Sequence, residues 1–352
     1  MNSFSNSAVT RRQFLHDSAA LAVAVAGASA VAQLPARRRI RLGFLGASHS
    51  HASGKLKLAA VSSDFELVGV AEESPAVRQR LQNVNFVSEK ELFERAEAIA
   101  VESDVRDHAR HALSALRAGK HVHVEKPPSA NLRDMQELIA AARDKRLLLQ
   151  TGYMWRYHPG FQRIFEAARR GWLGDIFMIR AAMTNSLEAE RRAEWAEFKG
   201  GSFFELGCHL LDPIVRLLGK PIRITSHLRR HGPFADSFKD NNVVTLEFDR
   251  ALAVITNSSL QPNSGSHRAF EVLGTNGTAV LRPIEPPVLH IDLLKPAGPY
   301  KAGAQKVESG GYRRYEGDLA EFAAAIRGEK LLTASLDQEL QVQEVLLEVC
   351  GM

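Results

Sequence analysis

The sequence His121-Val-His-Val-Glu-Lys-Pro-Pro128 decides how the chain is organised. Val122 and Val124 alternate with the histidines, which predicts a short strand with one apolar face. Pro127 disfavours helical dihedrals at Lys126, so we expect the lysine on extended backbone at the carboxyl end of this strand. In an open α/β sheet that end binds ligands, although a Glu-Lys pair before a strand break also suits a solvated strand end.

Strands and helices alternate on both sides of this stretch. Further strands are predicted at residues 40–45, 65–71, 98–101 and 147–151, and helices at residues 52–61, 76–81, 108–118 and 131–144. Gly119 suits the C-cap of the third helix. This alternation predicts an α/β fold whose first domain, residues 33–155, is a parallel, doubly wound sheet.

Beyond Pro159 the pattern becomes rich in strands. They are predicted at residues 176–183, 222–227, 242–248, 251–258, 268–273 and 278–282, with helices near Ser202, at residues 316–326 and from about Asp337. Short turns such as Asp249-Arg250 and Asn276-Gly277 join successive strands. We therefore expect a second α/β domain, residues 156–352, with a large, open, mostly antiparallel sheet.

Length and composition indicate a globular protein of two domains. The 352 residues are 45% apolar and 24% charged, and the formal net charge is +5. That charge, without a basic stripe, argues against a nucleic-acid partner. Cys208 and Cys350 form neither a CxxC pair nor a zinc-ligand spacing.

The first 32 residues have the pattern of a twin-arginine signal peptide. Arg11-Arg12 precede an apolar run at residues 18–32 that ends in Ala30-Val-Ala32. A disordered basic tail or an uncleaved anchor are the alternatives. A cleaved signal predicts a periplasmic or secreted protein with no membrane attachment.

The segment Gly46-Ala-Ser-His-Ser-His51 lies where a dinucleotide fingerprint follows the first strand. Ser48 and His51 replace its second and third glycines, and His49 and His51 could add hydrogen-bond donors. Glu72, at the end of the second strand, suits a ribose hydroxyl and would repel a 2′-phosphate, which favours NAD over NADP. Glu72 as a simple polar strand exit is the alternative.

A second group of polar residues lies in Gly200-Gly-Ser-Phe-Phe-Glu-Leu-Gly-Cys-His-Leu-Leu-Asp212. In a helix, Glu205, His209 and Asp212 would share one face. A histidine among carboxylates can accept a proton near neutral pH. Alternatively, Ser202 and Glu205 form a capping box, which would leave His209 unexplained.

These motifs together resemble the Gfo/Idh/MocA oxidoreductases, the glucose-fructose oxidoreductase and inositol dehydrogenase group. The resemblance rests on Glu-Lys-Pro at 125–127, the 200–212 segment and Gly152-Tyr-Met-Trp-Arg-Tyr-His-Pro159, and it extends over residues 38–350. It implies an NAD(P)-binding Rossmann domain, a sugar- or cyclitol-like substrate, and a homo-oligomer formed through the C-terminal sheet.

The resemblance also implies roles for individual residues. Lys126 would hold the reacting hydroxyl, His209 would be the acid-base residue, and Glu205 would take the place where many members have aspartate. Predicted cofactor contacts are Gly46, Ser48, His49, His51, Glu72, Ser103, His108, Glu125 and Lys126. Predicted substrate contacts are Arg156, His158, Trp195 and Asp212. The chain differs from the family pattern in its glycine fingerprint, at Glu205, and at Ser103-Asp104, where Thr-Pro is common.

The sequence thus predicts an exported enzyme that moves hydride between a carbohydrate-type carbinol and NAD. An NAD-dependent glycosidase is one alternative, distinguished by release of free sugar without net NADH. A non-catalytic sugar-binding protein is the other, distinguished by the absence of thermal stabilisation by NAD. Six of the 13 histidines fall near the predicted strand ends of the first domain, and His-x-His in a strand can bind a transition metal. No carboxylate stands at a clear ligand spacing, so we expect no functional metal site.

Overall fold

The computed structural model describes residues 37–81 and 83–352, and the predicted signal peptide lies outside the described residues. The first sheet consists of β1 (Ile40–Leu45), β2 (Phe65–Ala71), β3 (Ala98–Val101), β4 (His121–Val124) and β5 (Leu149–Thr151). All neighbouring strands are parallel, in the order β2-β1-β3-β4-β5. The predicted parallel sheet is confirmed.

Five helices connect or follow these strands: α1 (Ala52–Val61), α2 (Pro75–Arg80), α3 (Glu89–Arg95), α4 (His108–Arg117) and α5 (Leu132–Asp144). The side chains of Ser74, Ser88 and Asn131 cap the N-termini of α2, α3 and α5. Helix α3 was not predicted. It buries only Leu92, so its sequence has no apolar period that would reveal it.

The second sheet has eight strands: β6 (Ile176–Thr184), β7 (Arg223–Arg229), β8 (Asn241–Glu247), β9 (Leu252–Ser258), β10 (Ala269–Gly274), β11 (Gly277–Leu281), β12 (Leu289–Leu293) and β13 (Gly303–Val307). Their order is β13-β12-β11-β10-β6-β9-β8-β7. Only β6 and β9 pair in parallel within this described sheet. The prediction of a mostly antiparallel sheet is confirmed, but β12 and β13 were missed.

Five more helices accompany the second sheet: α6 (Pro159–Arg169), α7 (Ala189–Trp195), α8 (Cys208–Leu218), α9 (Glu316–Ile326) and α10 (Leu336–Cys350). Ile214 of α8 and Leu346 of α10 share one core with strand residues such as Ile255 and Val272. The other face of the sheet carries Phe177, which is 48% exposed. In the described part of the chain, every helix is too short or too polar to traverse a bilayer.

Helix α9 packs against the first sheet, although it follows the second sheet in the chain. Leu319 and Phe322 lie in the same core cluster as Leu42 and Phe44 of β1. A division of the chain at residue 155 therefore leaves out a helix that completes the core of the first half. The return of α9 also brings Tyr315 and Asp318 to the edge of the first sheet where the candidate site lies.

Candidate active site

A cavity of about 500 Å³ opens at the carboxyl ends of β1, β2 and β3. Four residues predicted to hold a cofactor line it: Gly46, Ser48, Glu72 and Ser103. Three basic side chains that were not predicted as cofactor contacts also line it: Arg78, Arg110 and His111. Ligands of open α/β sheets bind at this edge, so the cavity is the candidate cofactor site.

The turn after β1 requires glycine at position 46. Gly46 has a φ of +74°, and an added Cβ would lie 2.5 Å from the Cβ of Ser103. Glu72 accepts hydrogen bonds from the backbone N–H groups of Ala47, at 2.7 Å, and Ser74, at 2.8 Å. The carboxylate at the end of β2 thus fixes this turn while it faces the cavity.

Two buried polar atoms on the cavity have no hydrogen-bond partner among the described residues. They are Oγ of Ser103 and Nδ1 of His111. An unpaired buried polar atom costs about 1–3 kcal/mol, so a ligand with hydroxyl and phosphate oxygens would be stabilised by both atoms. The cavity fits the adenosine and phosphate portion of a dinucleotide.

His108 lies behind this cavity and not on its lining. Its Nδ1 is 2.8 Å from the carbonyl oxygen of Pro127, and its Nε2 is 2.9 Å from the carbonyl oxygen of Ser103. A neutral imidazole has one N–H, so it donates to one of these carbonyls. His108 therefore holds the loop after β3 against the loop after β4, and this placement favours a supporting role over direct contact with a cofactor.

Lys55 of α1 is fully buried in a charged cluster beneath the site. Its ammonium lies 2.7 Å from Glu102 Oε1 and 2.7 Å from His123 Nε2, and it also donates to the carboxylate of Glu125. Burial alone would lower the pKa of Lys55, but Glu102 and Glu125 raise it above its usual value. The spacing of metal ligands is also found in Glu102, His123 and Glu125. The ammonium group of Lys55 is the positive charge that these three residues surround.

His123 is held neutral by its two partners in this cluster. Nε2 accepts a hydrogen bond from Lys55, and Nδ1 donates to Gln150 Oε1 at 2.8 Å. Burial and then the Lys55 charge lower the pKa of His123 to about 3. A second proton would remove the acceptor that the lysine uses.

We expect His123 to make the fold sensitive to acid. Since its folded-state pKa lies below its unfolded value, its contribution is complete above the unfolded value of 6.5 and is lost as the pH falls towards about 3. The slope is up to about 1.4 kcal/mol per pH unit. Urea unfolding at pH values between these limits should show a shallower loss of stability in His123→Gln than in wild type.

The control for this experiment is His290→Gln, which replaces an exposed histidine of β12. It should leave the pH dependence of the unfolding free energy unchanged. Identical slopes for wild type and His123→Gln would show that His123 takes no part in acid sensitivity.

His49 and His51 form a second group around Glu125. Nδ1 of His51 lies 3.1 Å from Glu125 Oε1, and Nδ1 of His49 lies 3.7 Å from Oε2. Nε2 of His49 is also 3.4 Å from Glu205 Oε1. His49, His51 and Glu125 have the spacing of a metal site. The expectation of no functional metal site stays a prediction. His51 lines the second cavity, described next, whereas His49 is buried between the two carboxylates.

Lys126 and His209 line one cavity of about 250 Å³. Lys126 Nζ donates to the side-chain carboxylate of Glu205 and to its carbonyl oxygen, at 3.1 Å. Burial alone would lower the pKa of Lys126, but Glu205 raises it, so the amine is charged. Burial and then the Lys126 charge lower the pKa of His209 well below its usual value, so the imidazole is neutral at pH 7.

The capping-box alternative for Glu205 is wrong. Ser202 has helical dihedrals, and its hydroxyl lies 2.6 Å from that of Ser259 instead of capping a helix. The segment Phe203–Gly207 forms a turn of π-helix before α8 begins at Cys208. Within this turn the carboxylate of Glu205 accepts a hydrogen bond from Lys126.

Three predicted substrate contacts lie outside the lining of the second cavity. Arg156 donates to both Asp212, at 2.7 Å, and Glu339 of α10, and its side chain is 1% exposed. His158 caps α6 through Nδ1, and its Nε2 lies 2.8 Å from the carbonyl oxygen of Ile284. His209 and Asp212 were expected on one helix face, but His209 lines the cavity and Asp212 binds Arg156. The geometry of these residues favours structural support, whereas the fourth predicted contact, Trp195, does line the cavity.

Several residues of the site were missed by sequence reasoning. Glu102 follows β3 just as Glu125 follows β4, so the rule that parallel strands end at one edge could have found it. Lys55 stands four residues after His51 in the first turns of α1, which is a weaker signal. Arg268 and Arg314 line the second cavity but occupy loops and strand ends with no motif.

The chain matches two family profiles. Residues 40–153 match the profile described as oxidoreductase family, NAD-binding Rossmann fold, and residues 161–280 match that of the GFO/IDH/MocA C-terminal domain. Among curated proteins, the scyllo-inositol 2-dehydrogenase (NADP(+)) IolW of Bacillus subtilis is 29% identical to this chain. The matched region covers 45% of this chain and 44% of that relative. The dTDP-3,4-didehydro-2,6-dideoxy-alpha-D-glucose 3-reductase of Streptomyces violaceoruber is 25% identical over 82% of this chain and 86% of its own length.

Solved structures share the fold at lower identity. The UDP-N-acetylglucosamine 3-dehydrogenase GnnA of Acidithiobacillus ferrooxidans has a TM-score of 0.75 at 20% identity, covering 90% of this chain and 98% of its own. The WlbA dehydrogenase of Bordetella pertussis, in complex with NADH and UDP-GlcNAcA, has a TM-score of 0.72 at 18% identity, covering 89% and 95%. These likenesses show that the chain shares the fold of both proteins.

Proposed function

Because the chain belongs to the Gfo/Idh/MocA family of oxidoreductases, we propose that it transfers hydride between a sugar- or cyclitol-like carbinol carbon and NAD. The observation that carries the proposal is the meeting of Lys126 and His209 on one cavity. The turn from Gly46 to His51 contributes Ser48 to the cofactor cavity and His51 to this one. A substrate at Lys126 would therefore lie beside a bound dinucleotide.

The protein's part in the oxidation is to move one proton and to stabilise one charge. His209, neutral at pH 7, accepts the proton of the substrate hydroxyl. Lys126, which is charged and held by Glu205, stabilises the negative charge that develops on the oxygen as the carbonyl forms. A bound nicotinamide would supply the hydride acceptor for this oxidation.

We propose NAD over NADP on the basis of Glu72. Its carboxylate faces the cofactor cavity, where it suits a ribose hydroxyl and would repel a 2′-phosphate. Arg78 and Arg110 line the same cavity, but Arg78 donates to the carbonyl oxygen of Glu72 and Arg110 pairs with Asp107. Among the described residues, Arg110 thus has a carboxylate partner, whereas Arg78 is held only through its Nε, so the preference for NAD rests on Glu72.

Export and assembly complete the proposal. The twin-arginine pattern at residues 1–32 supports transport of the folded protein to the periplasm or out of the cell. The uncovered face of the second sheet, which carries Phe177, Met178 and Val254, supports a homo-oligomer. Cell fractionation and light scattering of the purified protein test these two parts.

The function is tested with protein purified from the exported fraction. Mass spectrometry identifies any nucleotide that the protein carries, and thermal shifts with NAD and NADP rank the two. NADH formation is then followed on a panel of sugars and cyclitols. We expect His209→Asn to lower kcat by roughly 10²- to 10⁴-fold, because it removes the base, whereas His227→Asn, on the exposed part of β7, should match wild type.

The alternatives give different results in the same experiments. Free sugar released from a glycoside without net NADH would indicate the glycosidase. A protein that carries no nucleotide and is not stabilised by either one would be a sugar-binding protein, and equal activity of His209→Asn and wild type would refute the assigned base.

A further inference from the structure

The second cavity carries more positive charge than its catalytic lysine requires. Three arginines line it together with Lys126: Arg191, Arg268 and Arg314. Two of them have a protein carboxylate. Arg191 pairs with Glu194 at 2.8 Å, and Arg314 pairs with Glu285 at 2.6 Å.

Arg268 is different, since no described carboxylate lies within ion-pair distance of it. Its Nε donates to the carbonyl oxygen of Thr184 at 3.0 Å, which holds the guanidinium in place while leaving its Nη groups available. The carboxylate of Glu285 is engaged, because Oε1 accepts from Trp155 Nε1 at 2.6 Å and Oε2 accepts from Arg314. Burial, and then the charge of Arg314, lower the pKa of Arg268, which reflects a cation without sufficient compensation.

We propose that Arg268 binds a carboxylate of the substrate, so that the substrate class is an acidic sugar such as a hexuronate. This inference rests on the proposed function and specifies its substrate. A guanidinium with free Nη groups forms paired hydrogen bonds with a carboxylate. The same charge would discriminate against neutral sugars, since they would leave the half-buried guanidinium without a counter-charge.

Charge and volume narrow the ligand further. The cavity's four cations are Lys126 and the three arginines, and Glu205, Glu194 and Glu285 compensate three of them. One positive charge remains, which matches a carboxylate better than a phosphate, whose charge approaches −2. The cavity of about 250 Å³ lies below the range of about 300–1,000 Å³ for drug-sized ligands, so it suits a single sugar ring.

The test measures binding, so that it does not depend on turnover. Calorimetric titrations, with and without NAD, compare the matched pairs glucuronate and glucose, galacturonate and galactose, and mannuronate and mannose, with glucose 6-phosphate as a third ligand class. We expect wild type to bind at least one uronate about tenfold more tightly than its neutral counterpart. Arg268→Gln should weaken the binding of that uronate by roughly 10- to 100-fold. The binding of the neutral sugar should weaken by less than about twofold.

Two variants separate recognition from folding. Arg268→Lys keeps the charge but loses the fork of the guanidinium, so its affinity for the uronate should be intermediate. Arg250→Gln removes an exposed arginine from the turn between β8 and β9 and should bind like wild type. These comparisons show that a change belongs to the cavity and not to the net charge of the protein.

Three outcomes would overturn the inference: neutral sugars bound as tightly as uronates, equal weakening of both classes by Arg268→Gln, or tighter binding of glucose 6-phosphate than of every uronate. Failure of the proposed function looks different. In that case a uronate binds through Arg268, but no NADH forms with any ligand.

Discussion

Lys126→Met should lower kcat by about 10³-fold, with NAD binding unchanged. The substitution removes the cation to which we assign stabilisation of the developing alkoxide, and groups of this type contribute about 10²- to 10³-fold or more when they act in a buried site. Lys126 lines the second cavity and not the cofactor cavity, so thermal stabilisation by NAD should survive. Steady-state kinetics on the best sugar of the panel and thermal shifts with NAD measure the two effects.

The control for Lys126→Met is a double variant that also removes the charge of Glu205, the partner of the lysine. Lys126→Met leaves the carboxylate of Glu205 buried without its lysine, which destabilises the fold. In the double variant Lys126→Met/Glu205→Gln no such charge remains, so stability should recover while kcat stays low. Recovery of kcat in the double variant, or wild-type kcat in Lys126→Met, would refute the role given to the ammonium.

Lys55→Met should lower the free energy of unfolding by about 3–5 kcal/mol, the cost of removing one member of a buried ion pair. The lysine is fully buried and lies between Glu102 and Glu125. Asp318 of α9 is also nearby, and burial raises its pKa to about 6. Without the ammonium these carboxylates must either repel one another or bind protons, and both cost stability. Urea unfolding at pH 7 measures the loss.

Lys57→Met is the matched control, because Lys57 lies two residues further along the same helix and is exposed. It makes the same chemical change and should alter the unfolding free energy by less than about 0.5 kcal/mol. If both variants lose the same amount, the buried cluster contributes nothing specific.

The sequence was most informative where a local pattern and the fold agree. The strands at 40–45, 65–71 and 98–101 and the helix at 52–61 were predicted with the bounds that the structure has, because buried strands read as short apolar runs between helices. Gly46, Glu72 and Lys126 also lie just after the carboxyl ends of parallel strands, as the sequence predicts. Each of these predictions depends on a few neighbouring residues.

Contacts between distant segments could not be read in the same way. Arg156 stands in a motif that resembles a substrate contact, yet Glu339, 183 positions away, joins Asp212 in binding it. Nothing near Glu339 in the sequence indicates that partner. Similarly, Glu205 and His209 line one cavity, whereas Asp212, which regular helical spacing predicts on the same face, binds Arg156 instead. Such pairings depend on the assembled fold.

The packing of α9 has a consequence for dissecting this protein. Leu319 and Phe322 cover Leu42 and Phe44 of the first strand, so a fragment that stops at residue 155 would expose an apolar surface to water. A self-sufficient nucleotide-binding fragment has to include residues 316–326, joined back by a short linker or by circular permutation. The two halves of the described chain are interleaved, because a helix that follows the second sheet in the sequence completes the core of the first.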